Sequence, residues 1–287
     1  MDQETAPVAT GSPAATSADA AAPEGARVAR WISRAGLASR REAERMIAQG
    51  RVSLDGAVLD NPATVIAHPD RLAVDGQPLP APAPARLFRF AKPAGVLVAA
   101  SDSTDRPTIY DHLPDRLPRV MPVGRLDLAS EGLLLLTTDG ALKRRLELPA
   151  TGWLRRYRVR VHGPVDAAAL AALAEGVTVE GVRYGPIRAA LERRTGANAW
   201  LTVSLREGRN REVRRVLAHL GLQVNRLVRV AYGPFQLGNM RPGQVSEVPA
   251  KVLAEQLGQD PDALGTPQAA TGTPKTGGRH AHRRRPA

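Results

Sequence analysis

The chain has 287 residues, of which 40 are Lys or Arg and 28 are Asp or Glu, so its formal net charge is +12. It has no cysteine, which excludes disulfides, thiolate nucleophiles and cysteine-ligated metal sites. No apolar run approaches the roughly 18 residues of a membrane span, and the first 26 residues lack the basic start of a secretory signal, so we expect a cytoplasmic protein with a polyanionic partner, most simply nucleic acid.

Both ends of the chain lack the apolar periodicity of folded segments. Residues 1–26 and 258–287 are rich in Ala, Pro, Ser, Thr and Gly, and the second segment ends in a basic cluster. Segments of this composition bury too little apolar surface to offset their ordering entropy, so both are predicted to be disordered. The basic tail is either an auxiliary arm for RNA or a solvated tail with no specific role.

The sequence pattern of residues 27–78 predicts a small helical module followed by two hairpins. A short helix is expected at 28–34, and Ser39 with Glu42 forms a capping-box pattern that opens a second helix. The Asp-Gly pairs at 55–56 and 75–76 predict tight hairpin turns. The polar face of the module is expected to present arginines, namely Arg34, Arg40, Arg41, Arg45 and Arg51.

The segment RAGLASRREAERMIAQGRVSLDG resembles the S4 RNA-binding domain. The resemblance implies that the module binds RNA through Arg34, Arg40, Arg41 and Arg51. The alternative is a generic helical hairpin with a solvated basic face. A Pro-rich connector at 79–85 then marks the expected domain boundary.

Residues 86–257 are predicted to form one α+β domain. Strands are expected at 87–90, 96–99, 133–137, 157–161, 200–205 and 224–232, and helices at 142–148, 166–174, 210–220 and 250–257. Because strands and helices do not alternate strictly, a doubly wound parallel sheet is disfavoured. The domain has no glycine-rich phosphate loop, and the chain's six His are scattered apart from two in the tail, so we expect neither a nucleotide cofactor nor a metal.

Asp127 stands out in the segment GRLDLASEG, just before four consecutive leucines that predict a strand buried on both faces. A carboxylate between Leu126 and Leu128, next to an arginine, is a candidate for a partly desolvated functional acid. The same pattern is equally compatible with a structural role, in which Asp127 caps the loop.

Two arginine-rich segments follow. Residues 206–215 hold five arginines at the start of a helix with a buried apolar stripe, and cations there oppose the helix dipole, so an anionic partner is expected unless the face is simply solvated. In residues 153–161, alternation places Tyr157 on a core-like face and arginines on the other. Tyr157 is either an ordinary core residue or a platform on which a base stacks.

Together these segments resemble the RsuA/RluB-type ribosomal RNA pseudouridine synthases. VGRLDLASEGLLLLTTDG matches the central motif of that family, and KPAGVLVAASD, RRYRVRV, EGRNREVRRV and NRLVRVAYGP follow its order and spacing. The resemblance covers roughly residues 27–250, and NREVRR is closest to the large-subunit branch. It implies an S4-type module followed by a mixed, mainly antiparallel sheet with flanking helices.

The resemblance also implies the chemistry. Asp127 would be the catalytic carboxylate, Arg125 would hold the RNA or fill the space left by a flipped base, Tyr157 would stack on that base, and Arg214 would pair with Asp127. Uracil would leave C1′, rotate and rejoin through C5, by attack of Asp127 on C1′ or by loss of a sugar proton. No cofactor is needed, the partner is ribosomal RNA or an assembling subunit, and the chain is expected to be a monomer.

Three alternatives remain open at this point. The target is in the small rather than the large subunit, or the chain is a non-catalytic S4-type assembly protein that binds RNA. A glycoside or nucleoside hydrolase is the third, although it would need a second carboxylate as acid, and nothing in the sequence places Glu131 opposite Asp127.

Overall fold

The computed structural model describes residues 25–148 and 151–258. Most of the two predicted disordered tails therefore lies outside the described residues. Ala26, at the end of the first predicted tail, belongs instead to a short strand. The chain divides into two compact units, Met1–Ala81 and Pro82–Ala287.

The first unit contains two short helices and two small antiparallel sheets. Its helices are α1 (Val28–Arg34) and α2 (Arg40–Ala48), and its strands are β1 (Ala26–Arg27), β2 (Val52–Leu54), β3 (Ala57–Val58), β4 (Val65–Ile66), β5 (Leu72–Val74) and β6 (Gln77–Pro78). β1 pairs with β4, and the other four strands form a sheet of order β3-β2-β5-β6. Ile32, Ile47 and Leu72 are buried in the core that the helices and sheet share.

Local sequence signals in this unit are confirmed. The Ser39 hydroxyl accepts from the Glu42 amide, and the Glu42 carboxylate accepts from the Ser39 amide, which completes the capping box at α2. Asp55 and Gly56 have φ values of 50° and 82°. Both residues of a two-residue hairpin turn of this type need positive φ, which Asp-Gly tolerates well.

The second unit is built on one large sheet with helices on its faces. Its strands are β7 (Leu87–Lys92), β8 (Met121–Val123), β9 (Ser130–Thr137), β10 (Arg155–His162), β11 (Val177–Val179), β12 (Val182–Tyr184), β13 (Ile187–Thr195), β14 (Asn198–Leu205), β15 (Gln223–Tyr232), β16 (Phe235–Gln236) and β17 (Val245–Glu247). Its helices are α3 (Gly140–Glu147), α4 (Ala167–Ala172), α5 (Glu212–His219) and α6 (Ala250–Leu257).

The nine-stranded sheet has the order β13-β14-β10-β15-β9-β7-β17, with β8 beside β9 and β16 beside β15. Its pairs are antiparallel except β15 with β9, which is parallel. A side chain at Gly132 would collide with the backbone of Arg229 on β15, since an added Cβ would lie 2.4 Å from the Arg229 carbonyl oxygen. The mixed, mainly antiparallel α+β fold is therefore confirmed.

The four leucines of β9 face two different cores. Leu134 and Leu136 pack in the first core with β10, β14, α4 and α5, whereas Leu133 and Leu135 pack in the second core with α3 and α6. All four are fully buried. The prediction of a strand buried on both faces is confirmed.

Two predictions for this unit are wrong, and six of its strands were not predicted, namely β8, β11, β12, β13, β16 and β17. Residues 96–99 form no strand, because only Leu97 makes an isolated bridge, to Thr108. The edge strand β13 was missed, because most of its residues are exposed and its sequence IRAALERRT has no apolar alternation. The helix expected from residue 210 begins at Glu212, since Arg211 has a left-handed φ of 51°.

Candidate active site

Asp127 lies in the loop between β8 and β9, three residues before β9 begins. Leu126 is buried in the first core, while the side chain of Asp127 is 30% exposed. The Asp127 carbonyl accepts a hydrogen bond of 3.0 Å from the Ser130 amide. The loop is therefore anchored by its neighbour in the core and presents one carboxylate at the surface.

Lys92, the last residue of β7, fixes the backbone of this loop through hydrogen bonds to its carbonyls. Its side chain is 1% exposed, and Nζ donates to the carbonyls of Ser130 at 2.7 Å and Asp127 at 3.2 Å, with Pro93 and Leu128 also in reach. Burial lowers the pKa of Lys92 to about 8, while the charges of Asp127 and Glu131 oppose that shift. No local sequence signal marks Lys92 as part of the site, because it lies 35 residues before Asp127.

Arg214, on α5, holds the same loop from the other end. Its Nη2 donates to the Ala129 carbonyl at 3.2 Å, and its Nη1 donates to the Val224 carbonyl at 3.1 Å. No N–O distance between Arg214 and Asp127 is within 4 Å, so the direct pair implied by the resemblance is not formed. Burial and the nearby Arg211 lower the pKa of Arg214, and Asp127 counteracts them. Arg214 thus acts on the backbone next to Asp127.

Arg211 supplies the guanidinium that lies beside Asp127. Its Nη1 is 3.9 Å from Asp127 Oδ2, and its side chain is about half exposed. Arg211 occupies the N-cap position of α5 in a left-handed conformation, which is uncommon for a residue other than glycine. In the sequence, Arg211 is one of the five arginines of residues 206–215, and nothing in its residue type signals this conformation.

Glu212 stabilises the loop that carries Arg211. Its side chain is 3% exposed, and Oε2 accepts from the Arg209 amide at 2.9 Å. The other oxygen, Oε1, is buried without a hydrogen-bond partner in the described part of the chain. Burial raises the pKa of Glu212, so this carboxylate is held in an environment that favours its neutral form.

Tyr157 lies on β10, two strands away from β9. β15 stands between them, with Arg229 opposite both Tyr157 and Gly132, so Tyr157 and Gly132 are roughly 10 Å apart across the sheet. Tyr157 is 8% exposed in the first core, and within the described residues its hydroxyl has no hydrogen-bond partner. The structure thus places the tyrosine in the core at the level where β9 begins.

The remaining predicted residues have different surroundings. Arg125 is exposed, two residues before Asp127, and forms no ion pair within the described part of the chain. Glu131 is engaged by Arg226, with distances of 2.5 and 3.1 Å to Nε and Nη2. Glu131 is thus a poor candidate for the second carboxylate that a hydrolase would need.

In the first unit, Arg40 and Arg41 are exposed in the first turn of α2, and Arg34 and Arg45 are exposed as well. Arg51 instead forms a two-bond ion pair with Asp75, at 2.8 and 2.6 Å. The pair raises the pKa of Arg51 and lowers that of Asp75. Arg51 must give up or share this pair to contact a phosphate.

Residues 25–148 and 151–258 contain no cluster of His, Asp and Glu that could hold a metal. Over the same ranges, no helix is long and apolar enough to cross a membrane. The site therefore offers one partly exposed carboxylate, a guanidinium beside it, and two further cations that fix its backbone. Such a carboxylate can serve as a nucleophile or as a base, and the surrounding arginines favour an anionic substrate.

Models of two protein families match the chain. The RNA pseudouridylate synthase model matches residues 86–219, and the S4 domain model matches residues 26–72. A crystal structure of a pseudouridylate synthase is similar to the fold, with a TM-score of 0.56 and 27% sequence identity, over 80% of this chain and 99% of that one.

Similar sequences carry related descriptions. An uncharacterized RNA pseudouridine synthase of Rickettsia prowazekii is 40% identical over 231 residues, which are 80% of this chain and 97% of the relative. Ribosomal large subunit pseudouridine synthase B of Haemophilus influenzae is 42% identical over 221 residues, covering 75% of this chain and 62% of the relative. The same protein of Yersinia pestis is 40% identical over 219 residues, covering 74% and 69%.

Proposed function

The chain belongs to the RNA pseudouridine synthase family, and we propose that it isomerises a uridine of ribosomal RNA, in the large subunit, with Asp127 as the catalytic carboxylate. The observation that carries the site assignment is the fixed loop: Lys92 and Arg214 hold carbonyls at Asp127 and in the residues that follow it. A carboxylate that must act on one atom of a substrate benefits from a backbone fixed in this way.

Two observations support ribosomal RNA as the substrate. Relatives that share 40–42% identity are described as ribosomal large subunit pseudouridine synthases. The chain also matches an S4 domain, and its exposed Arg40 and Arg41 suit phosphate groups. Since ribosomal RNA is the proposed substrate, we expect the protein in the cytoplasm, and we expect it to act as a monomer.

The proposed reaction conserves the atoms of the substrate. The bond from uracil N1 to C1′ breaks, a bond from C5 to C1′ forms, and the proton lost from C5 is balanced by one gained at N1. Asp127 either attacks C1′ and is displaced when C5 bonds to C1′, or removes a sugar proton to assist departure of the base and returns it when the base has rejoined. Both routes need one carboxylate, in agreement with the engagement of Glu131 by Arg226.

The base has to leave the RNA stack to reach Asp127, at a cost of roughly a few kcal/mol. We assign Tyr157 to stacking on the flipped base and Arg125 to contact with the RNA, since Arg125 is exposed two residues before Asp127. We assign Arg211 to the carboxylate and the nearest phosphate, because it is the guanidinium 3.9 Å from Asp127. Arg214 acts as a positioning residue through the Ala129 carbonyl.

The test is product analysis with purified protein on three substrates: large-subunit RNA, small-subunit RNA and partly assembled large subunits. Pseudouridine at one position of the large-subunit RNA, found by carbodiimide labelling and primer extension, is the expected result. Modification of small-subunit RNA alone would move the target to that subunit. Free uracil would indicate a hydrolase, and tight binding without any product would indicate an assembly protein.

A further inference from the structure

The four strands β13, β14, β10 and β15 have one face that carries a strongly basic surface, here called the open sheet face. Arg156, Arg158 and Arg160 alternate along β10 with Tyr157, Val159 and Val161, which point into the first core. The register extends this face onto neighbouring strands, where the cross-strand partners are Arg188 and Arg193 on β13, Trp200 on β14 and Arg226 on β15.

All six arginines of the open sheet face are exposed. Two glutamates lie among them, and both are already paired. Glu192 accepts from Arg158 at 2.9 Å and also accepts from the Thr202 hydroxyl, and Glu131 accepts from Arg226. The face therefore presents uncompensated cations to solvent.

Several of the arginines are free to bind a partner. Within the described residues, Arg156, Arg160 and Arg188 are among those that make no ion pair within 4 Å and no side-chain hydrogen bond. Residues two apart on a strand are separated by roughly 7 Å, so Arg156 and Arg160 bracket Arg158 in one row. Arg158 itself stacks on Trp200, with its guanidinium 4.9 Å from the ring centroid.

The open sheet face borders β9, the strand that begins three residues after Asp127. Arg226 closes the face at β15, and its partner Glu131 lies four residues after Asp127. Arg226 on β15 therefore connects the open sheet face to the beginning of β9, directly after the loop of Asp127. The site chemistry itself uses none of these arginines.

We propose that the open sheet face is a second RNA-binding surface, which takes the phosphate backbone of the substrate outside the catalytic site. The proposal rests on the proposed function, since it takes RNA as the polyanion. Charge complementarity favours RNA over an acidic protein segment, because a row of evenly spaced guanidiniums matches a regularly charged backbone. Its contribution is independent of sequence, as expected of phosphate contacts.

The experiment compares full-length wild type with the double variant Arg156→Gln and Arg160→Gln. The matched control is Arg241→Gln with Lys251→Gln, which removes the same charge from exposed positions elsewhere in the unit. Affinity for a fluorescein-labelled RNA hairpin with single-stranded flanks is measured by anisotropy over a salt series. Each phosphate that the protein no longer neutralises reduces the slope of log affinity against log salt by about 0.7–0.9.

We expect the double variant to bind about fivefold more weakly at low salt, with a slope reduced by about 1.4–1.8, while the control stays close to wild type. Affinity and slope equal to those of the control would overturn the proposal. So would unchanged RNA affinity together with loss of binding to polyglutamate, which would indicate an acidic protein partner. The anisotropy experiment measures RNA binding and does not depend on turnover. An absence of pseudouridine in the activity assay would therefore refute the proposed function without deciding whether the open sheet face binds RNA.

Discussion

Cationic side chains serve two different purposes in the second unit. In the loop around Asp127, Lys92 is buried and Arg214 is half-buried, and both donate to backbone carbonyls. On the open sheet face, Arg156 and Arg160 are exposed and donate to no group in the described part of the chain. The degree of burial distinguishes the two groups. Salt screens the interactions of the buried cations little, and these cations stabilise the loop. Salt screens the exposed cations strongly, and we propose that they bind a polyanion.

The largest effect is expected where the enclosed cations converge, at Asp127. The variant Asp127→Asn is almost isosteric but can serve neither as nucleophile nor as base, so single-turnover rates should fall by about 10³-fold or more. Affinity for RNA should stay nearly unchanged. The matched control is Asp115→Asn, an exposed carboxylate of the same unit. A variant that still forms pseudouridine at a substantial rate would refute the assignment.

The next effect concerns the loop support by Arg214. The variant Arg214→Ala leaves the Ala129 and Val224 carbonyls without their donor, and we expect the saturated rate to fall about 100-fold, since hydrogen bonds to charged groups are the stronger ones. Arg214→Lys should recover only part, because lysine lacks the planar fork. Arg215→Ala, on the exposed side of the same helix, is the control. Equal saturated rates for the two alanine variants would show that Arg214 does not position the Asp127 loop for catalysis.

The hydrogen bonds from Lys92 to the loop can be tested by measuring the free energy of unfolding. In Lys92→Met the carbonyls of Asp127 and Ser130 lose a buried donor, and we expect the free energy of unfolding to fall by about 2 kcal/mol in urea titrations. Lys251→Met changes an exposed lysine and should leave it within about 0.5 kcal/mol. If both variants are equally stable, the buried ammonium contributes nothing beyond its cost of desolvation.

Exposed arginines should behave in the opposite way. In the first unit, Arg40→Ala with Arg41→Ala should raise KM on long ribosomal RNA about tenfold and flatten its salt dependence, because fewer phosphates are neutralised. The saturated single-turnover rate should not change, since these residues do not support Asp127. A collapse of the saturated rate with KM unaffected would mean that the S4 module helps to build the active site.

The smallest effect is expected at Glu212, an enclosed anion. Burial raises its folded-state pKa above the usual 4.5, so the wild type loses stability as pH rises through that folded pKa, whereas Glu212→Gln does not. Gln also keeps an acceptor for the Arg209 amide. The variant should therefore be more stable at pH 7 by up to about 1 kcal/mol, with a difference that vanishes below the unfolded pKa. A difference that is constant from about pH 4 to pH 7 would contradict this expectation.

Features that depend on neighbours along the chain could be predicted from the sequence. The capping box of Ser39 and Glu42, the Asp-Gly turns and the alternation of β10 were all predictable, because each rests on local geometry or on the two-residue period of a strand. The four leucines of β9 indicated a strand buried on both faces for the same reason. The central motif then led to Asp127 through family resemblance.

The groups that surround Asp127 could be identified only from the three-dimensional structure. Lys92 reaches the loop across 35 residues of sequence, and Arg214 reaches Ala129 across 85. The guanidinium beside Asp127 belongs to Arg211, which precedes α5 in a left-handed conformation, rather than to Arg214. The open sheet face likewise exists only once β13, β14, β10 and β15 are aligned. Contacts between distant strands follow from register and packing, which no local pattern of residues encodes.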